Sequence, residues 1–132
     1  MKCLSLIQPW ATLIAIEAKK IETRSWKTNY RGIIYIHASK RTDKKVLNKD
    51  VFSLTLGDTP LPNGEIIASC KLVDCIKMDE NFINKVKQMG YEYEFGEYTI
   101  GRYGWILEDV ELLDTPIKTN GHLGIWNYEE EN

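Results

Sequence analysis

Between Lys19 and Trp26 polar and apolar residues alternate with the two-residue period of a β-strand. On that period Lys20, Glu22, Arg24 and Trp26 share one face, and Ile21, Thr23 and Ser25 the other. Lys2 to Ile7 reads as a shorter strand before it. Gln8-Pro9-Trp10 starts a helix, since proline is tolerated in a first turn, where its missing N–H costs nothing. That helix is expected to end near Ala18, with Leu13, Ile14 and Ile16 packed on a sheet. Lys27 to Tyr30 is a polar turn, and Arg31 to Ala38 is a buried, β-branched strand. Ser39 to Leu56 is expected to be helical, capped by Ser39 or Asp43, with Val46, Leu47, Val51 and Leu54 as its apolar stripe. A breaker-rich loop, Gly57 to Gly64, leads into a long strand from Glu65 to Ile76.

Asp79 is expected to cap a helix from Glu80 to Met89 that Gly90 ends. Tyr91 to Tyr98 is acidic and aromatic without a clear period, an irregular segment suited to closing over a cleft. A last strand begins at Gly101 and extends towards Leu113, where Thr115-Pro116-Ile117 ends it. Asn120-Gly121 makes a turn, Trp126 brings an indole back to the body, and Glu129 to Glu131 is expected to fray. About five strands and two or three helices, not strictly alternating, predict an α+β domain, a small, strongly curved sheet or barrel with helices on one side.

A chain of 132 residues is long enough for one domain with a real core, so residues 1–132 are expected to form a single domain. With 43% apolar and 27% charged residues the composition is that of a soluble globular protein. No apolar run approaches the ~20 residues of a membrane span, and the first nine residues are too short and too broken for a secretory signal. A cytoplasmic protein is the expectation, and no membrane partner. Cys3, Cys70 and Cys75 lack CxxC spacing and are expected to be free thiols, with Cys70 and Cys75 on opposite faces of one strand. The net charge of −2 conceals an asymmetry. Residues 1–50 carry eleven lysines and arginines against four acidic residues, and the remainder six against fifteen. That permits a local anion site, whereas a pI of about 5.7 argues against strong non-specific binding to nucleic acid.

There is no phosphate loop, no GxGxxG and no HExxH, and two histidines, His37 and His122, do not make a metal site. No metal and no cofactor are expected. His37 is expected to be a hydrogen-bonded structural histidine. The face bearing Lys20, Glu22, Arg24 and Trp26 has two readings. One is an ordinary amphipathic strand with a solvated face. The other is a pocket floor on which an indole stacks against a flat ring while charges read its edges. Trp10 stands at a helix start, as core or as pocket wall. The basic set Lys40, Arg41, Lys44, Lys45 and Lys49 lies outside the apolar stripe, the best candidate there for phosphate contact.

Ser5-Leu6-Ile7-Gln8-Pro9-Trp10-Ala11, Lys20-Ile21-Glu22-Thr23-Arg24-Ser25-Trp26, Arg31-Gly32 and Ile36-His37-Ala38-Ser39-Lys40 together resemble the ASCH domain family. Gly101-Arg102-Tyr103-Gly104-Trp105 and Gly124-Ile125-Trp126-Asn127 agree. The resemblance covers nearly the whole chain and implies a stand-alone ASCH domain with a PUA-like β-barrel of five or six strands flanked by two or three helices. It implies an RNA- or nucleotide-binding cleft at the Lys-x-x-Glu-x-Arg strand, with Trp10, Glu22, Arg24, Ser25, Trp26 and Lys40 as ligand-binding residues. A smaller branch of the family resembles amidohydrolases of N4-acetylcytidine that use a lysine, a threonine and a glutamate. Aligned through Arg24, that lysine falls at Lys19 and the threonine at Glu22; Glu80 is the carboxylate considered for the third position. The usual glycine after the first helix is replaced by Glu17-Ala18.

Three functions follow for test. As a binding module, Trp10 and Trp26 wall the pocket, Glu22 and Arg24 read base edges, and Lys19, Lys20 and Lys40 meet phosphate. As an enzyme, Lys19 or Lys20 acts as base or activator and Glu22 moves the proton; a free lysine titrates near ~10.4, so burial or positive neighbours must lower it. As neither, Glu22 and Arg24 form a structural ion pair and the tryptophans are core.

Overall fold

The structure is a computed structural model that describes residues 1–130. Of the tail expected at Glu129 to Glu131, Glu131 lies outside the described residues. Six strands form one mixed sheet: β1 (Lys2–Gln8), β2 (Ile21–Arg24), β3 (Gly32–Thr42), β4 (Glu65–Lys77), β5 (Tyr103–Lys118) and β6 (Ile125–Asn127), in the order β2-β5-β4-β3-β1-β6. β1 and β3 are parallel and the remaining pairs antiparallel. Four short helices, α1 (Trp10–Ala15), α2 (Asp50–Leu56), α3 (Glu80–Val86) and α4 (Glu92–Phe95), complete an α+β fold. No strand pairing closes β2 onto β6 among the described residues. The sheet nevertheless curls far enough for Arg24 on edge strand β2 to donate through Nη2 to Ser5 O on β1, at 3.0 Å.

The main core gathers Leu4 and Leu6 of β1, Ala11 and Ile14 of α1, and Ile34, Ile36, Ala68, Cys70, Leu72 and Trp105 of the central strands. A second cluster, Leu13, Phe52, Leu56 and Phe95, joins α1, α2 and α4. A third places Val86 of α3 over Ile21, Met78 and Tyr98. The Asp79 cap is present, its Oδ1 accepting from Phe82 N at 2.8 Å.

Several elements differ from their sequence expectations. The expected helix from Ser39 is strand as far as Thr42, because β3 keeps its parallel partner β1 (Gln8 opposite Thr42) and Asp43 N still donates to Gln8 O. Asp43 Oδ1 accepts from Lys45 N and Val46 N ahead of a 3₁₀ turn at Val46–Asn48; only Asp50–Leu56 is α-helix, and Lys49, not Ser39 or Asp43, stands at its N-cap. Leu54, placed in the apolar stripe, faces solvent at 83% exposure. α1 ends at Ala15, before Ala18, and Ile16 is exposed. The helix of the 80s stops at Val86, before Met89. Within Tyr91–Tyr98 one turn of helix forms. β5 continues through Thr115-Pro116-Ile117 because Ile117 and Lys118 pair with Ile66 and Glu65. Cys70 and Cys75, both free thiols, pack on the same cluster, since a register shift between Leu72 and Asp74 resets the alternation.

Candidate functional site

β2 pairs with β5 so that Glu22 lies opposite Trp105 and Arg24 opposite Tyr103. The segment feeding it is shaped by the end of α1. Ala18 N and Lys19 N both donate to Leu13 O, and Glu17 takes φ 63°, the left-handed region. This is where a glycine closes a helix with least strain. The tight exit turns Lys19 inward, and its side chain is 1% exposed. Lys19 Nζ donates to Ile21 O and stands 3.7 Å from Glu22 Oε1. Glu22 Oε2 in turn accepts from Arg24 Nε at 3.1 Å. The Glu22–Arg24 fork is therefore held from both ends, by Lys19 behind it and by Ser5 O beyond it.

A second carboxylate joins from α4. Glu92 is buried and its Oε1 accepts from Lys20 N at 2.6 Å. Its Oε2 and the buried Tyr98 hydroxyl find no partner among the described residues. Burial pushes Lys19 below the ordinary lysine range, with the Glu22 and Glu92 charges opposing. Burial likewise pushes Glu92 up, with Lys19 opposing. Burial and the carboxylates of Glu92 and Glu22 raise Tyr98. Unpaired charge is costly in a low-dielectric interior, so both Lys19 and Glu92 are drawn towards their neutral forms.

In front of the fork lies a cleft of about 520 Å³, walled by β1 (Ser5 to Ile7), the Glu22–Trp26 segment, and Trp10, Phe52 and Phe95. Trp26 is 37% exposed and stands edge-on to Trp105, ring centroids 4.7 Å apart. Trp10 donates through Nε1 to Phe95 O, which fixes its ring as a wall. Three carboxylates (Glu22, Glu94, Glu97) and three cations (Arg24, Lys49, Arg102) line the cleft.

The structure thus brings Trp10, Glu22, Arg24, Ser25 and Trp26 to one cleft, with Lys19 directly behind. Lys20 does not share their face: it is exposed and lines a different, more apolar groove beside α3. The strand starts only at Ile21, and the bend at Lys19 breaks the alternation that grouped them. Lys40 lines another concavity, with His37 and His122. Glu80 is exposed in the first turn of α3 and lines none of these clefts. Glu92 went unnoticed in the sequence: a lone glutamate in an acidic segment carries no mark of burial, and its partner lies 72 residues away.

A model of the ASCH domain matches residues 4–118. This chain belongs to the ASCH domain family. Two curated relatives are "Activating signal cointegrator 1" of Mus musculus, 34% identical over 86 residues, and of Homo sapiens, 35% identical over 89. Each match takes in 59% of this ASCH domain chain and 15% of the relative, so the chain spans a small fraction of those proteins. Among the described residues, no helix is long and apolar enough to cross a membrane.

Proposed function

We propose that the Glu22–Arg24 cleft binds a nucleobase of RNA or of a free nucleotide. One observation carries the reading: a carboxylate and a guanidinium, fixed side by side by Lys19 and Ser5 O, line an open cleft that two indoles also line. A carboxylate accepts from base N–H groups and a guanidinium donates to base O and N acceptors, so the fork meets a base edge that presents both. The indoles supply stacking, worth about 1–3 kcal/mol per base. Membership in the ASCH family supports the same reading. Binding of short RNA to the purified domain tests it. Trp26→Ala and Glu22→Gln should each weaken binding roughly tenfold with the fold retained. Unchanged affinity of both variants for RNA and nucleosides overturns it.

The same reading takes the curled sheet as a PUA-like barrel in which Arg24 ties edge strand β2 to β1, and residues 1–132 as one domain. It places the protein in the cytoplasm, where three free thiols are at home.

A second reading, an amidohydrolase of N4-acetylcytidine-like nucleosides, draws support from one observation: a buried lysine depressed by its surroundings beside a buried carboxylate with one oxygen unpartnered among the described residues. In it Lys19 and Glu92 would move the protons as water adds to the acetyl carbon and the C–N bond breaks. This reading takes Glu92, whose charge acts on Lys19, in place of Glu80. Chromatography of N4-acetylcytidine after incubation decides: cytidine and acetate, absent with Lys19→Ala, establish it, and intact substrate rules it out.

A further inference from the structure

We propose that the ligand of the Glu22–Arg24 cleft carries its phosphate across Ser5 into a second concavity at Lys40 and His122, so that the domain prefers phosphorylated nucleotides to free nucleosides. This rests on the reading of the first cleft as a nucleobase site.

The charges of the first cleft are balanced, and both of its guanidinium groups are committed; Lys49 is the cation there without an ion pair among the described residues. Arg24 is held by Glu22 and Ser5 O, and Arg102 by Glu97 at 3.5 Å and by Thr23 O. That suits an uncharged ring and leaves little for a phosphate. The neighbouring concavity, about 430 Å³, differs in kind. It is lined by Lys40, Ser39, His37 and His122 and, among the described residues, by no carboxylate. Lys40 makes no ion pair among the described residues.

Ser5 lines both spaces. Its carbonyl accepts from Arg24 on one side. Its hydroxyl is held on the other by His37 Nδ1 at 2.9 Å and Trp126 Nε1 at 3.0 Å. His37 Nε2 lies 2.8 Å from Thr119 O, which can only accept, so Nε2 bears the proton and Nδ1 accepts from the Ser5 hydroxyl. Both ring nitrogens are thereby used, and His37 is scaffold. The groups left for an anion are Lys40, Ser39 and His122. The loop carrying His122 lies so close to this scaffold that a Cβ on Gly121 would come within 2.5 Å of Ser5 Oγ and 2.8 Å of His37 Cε1. His122 is seated edge-on against Trp126, ring centroids 5.0 Å apart. Ser5 thus stands on the boundary of both the first cleft and a hollow that carries Lys40 and, among the described residues, no carboxylate.

Calorimetric titration of cytidine and adenosine, their 3′- and 5′-monophosphates, and an RNA hexamer tests this on wild type, Lys40→Ala, His122→Ala and Lys49→Ala. Lys49 is the lysine that lines the first cleft among the described residues and serves as the competing phosphate contact. The expected result is a preference for a monophosphate over its nucleoside of roughly fivefold at low salt, shrinking as salt rises. Lys40→Ala and His122→Ala should bring that ratio near one, and Lys49→Ala should leave it. If the hexamer alone shows a dependence on Lys40, the proposal stands with a strand as the source of the phosphate. Equal binding of nucleoside and monophosphate with no Lys40 effect on the hexamer, or a preference that follows Lys49, overturns it while the first cleft stands. Absence of binding by every probe overturns both readings.

Discussion

Two buried polar groups meet at Ser5, and they are built on opposite plans. Around His37 every hydrogen-bonding atom of the ring has a partner, the ring is neutral, and a loop is pressed over it at Gly121. Around Lys19 three ionisable groups are buried together, and Glu92 Oε2 and the nearby Tyr98 hydroxyl have no hydrogen-bond partner among the described residues. A satisfied neutral network rigidifies a fold. A partly satisfied ionic one beside an open cleft is a strain the fold retains, and such groups cluster at functional sites.

The largest expected effect is on the ionic side. Lys19→Met leaves Glu22 and Glu92 without their buried cation and should destabilise by about 3–5 kcal/mol in urea unfolding. Adding Glu92→Gln should restore part of that loss, and full additivity of the two would show that the groups do not interact. On the neutral side, Gly121→Ala should cost about 1–3 kcal/mol, because its methyl group meets Ser5 Oγ and His37 and the loop must move. An alanine tolerated there would mean the seal is loose and the two regions are less different than they look.

Acidity separates the regions by sign. Burial lowers His37, so below ~6.5 the unfolded chain binds a proton the native ring resists, and stability falls as pH drops through that window. Burial raises Glu92, so the native chain holds its proton longer, and stability falls as pH rises from ~4.3 towards the raised value. His37→Gln should flatten the first slope and Glu92→Gln the second, as read from thermal midpoints across pH. One slope surviving its own variant would assign it to another group. The smallest effect is expected at the turn that aims Lys19. Glu17→Gly relieves a left-handed side-chain residue at φ 63° and should stabilise by about 0.5–1 kcal/mol. A loss of stability would mean that the glutamate side chain contributes more than its backbone costs.

Some of this was legible along the chain. Alternation marked β2 and put Glu22, Arg24 and Trp26 on one side, and Trp10 followed a proline that opens a helix. The Asp79 cap and the buried face of β4 at Ala68, Cys70 and Leu72 were equally plain, whereas Ile66, grouped with them along the chain, packs with Cys3 and Trp126 because a register shift separates it from Ala68. What misled was local pattern without its partner. Ser39 to Thr42 sits in a run that reads as helix, and pairing with β1 holds it as strand. Lys20 shares a period with Glu22, yet the turn after α1 points Lys19 inward and leaves Lys20 outside.

By itself, then, the sequence determined the α+β class, the charged and aromatic strand, and the family, because periodicity and short motifs are local properties of the chain. Only the tertiary structure decided that Lys19 is the buried cation, that Glu92 is its distant carboxylate neighbour, and that Ser5 joins two hollows of different charge. Those facts depend on which segments the sheet brings together and which groups it removes from water, and desolvation acts on a group through all its neighbours in space, most of which lie far away along the chain.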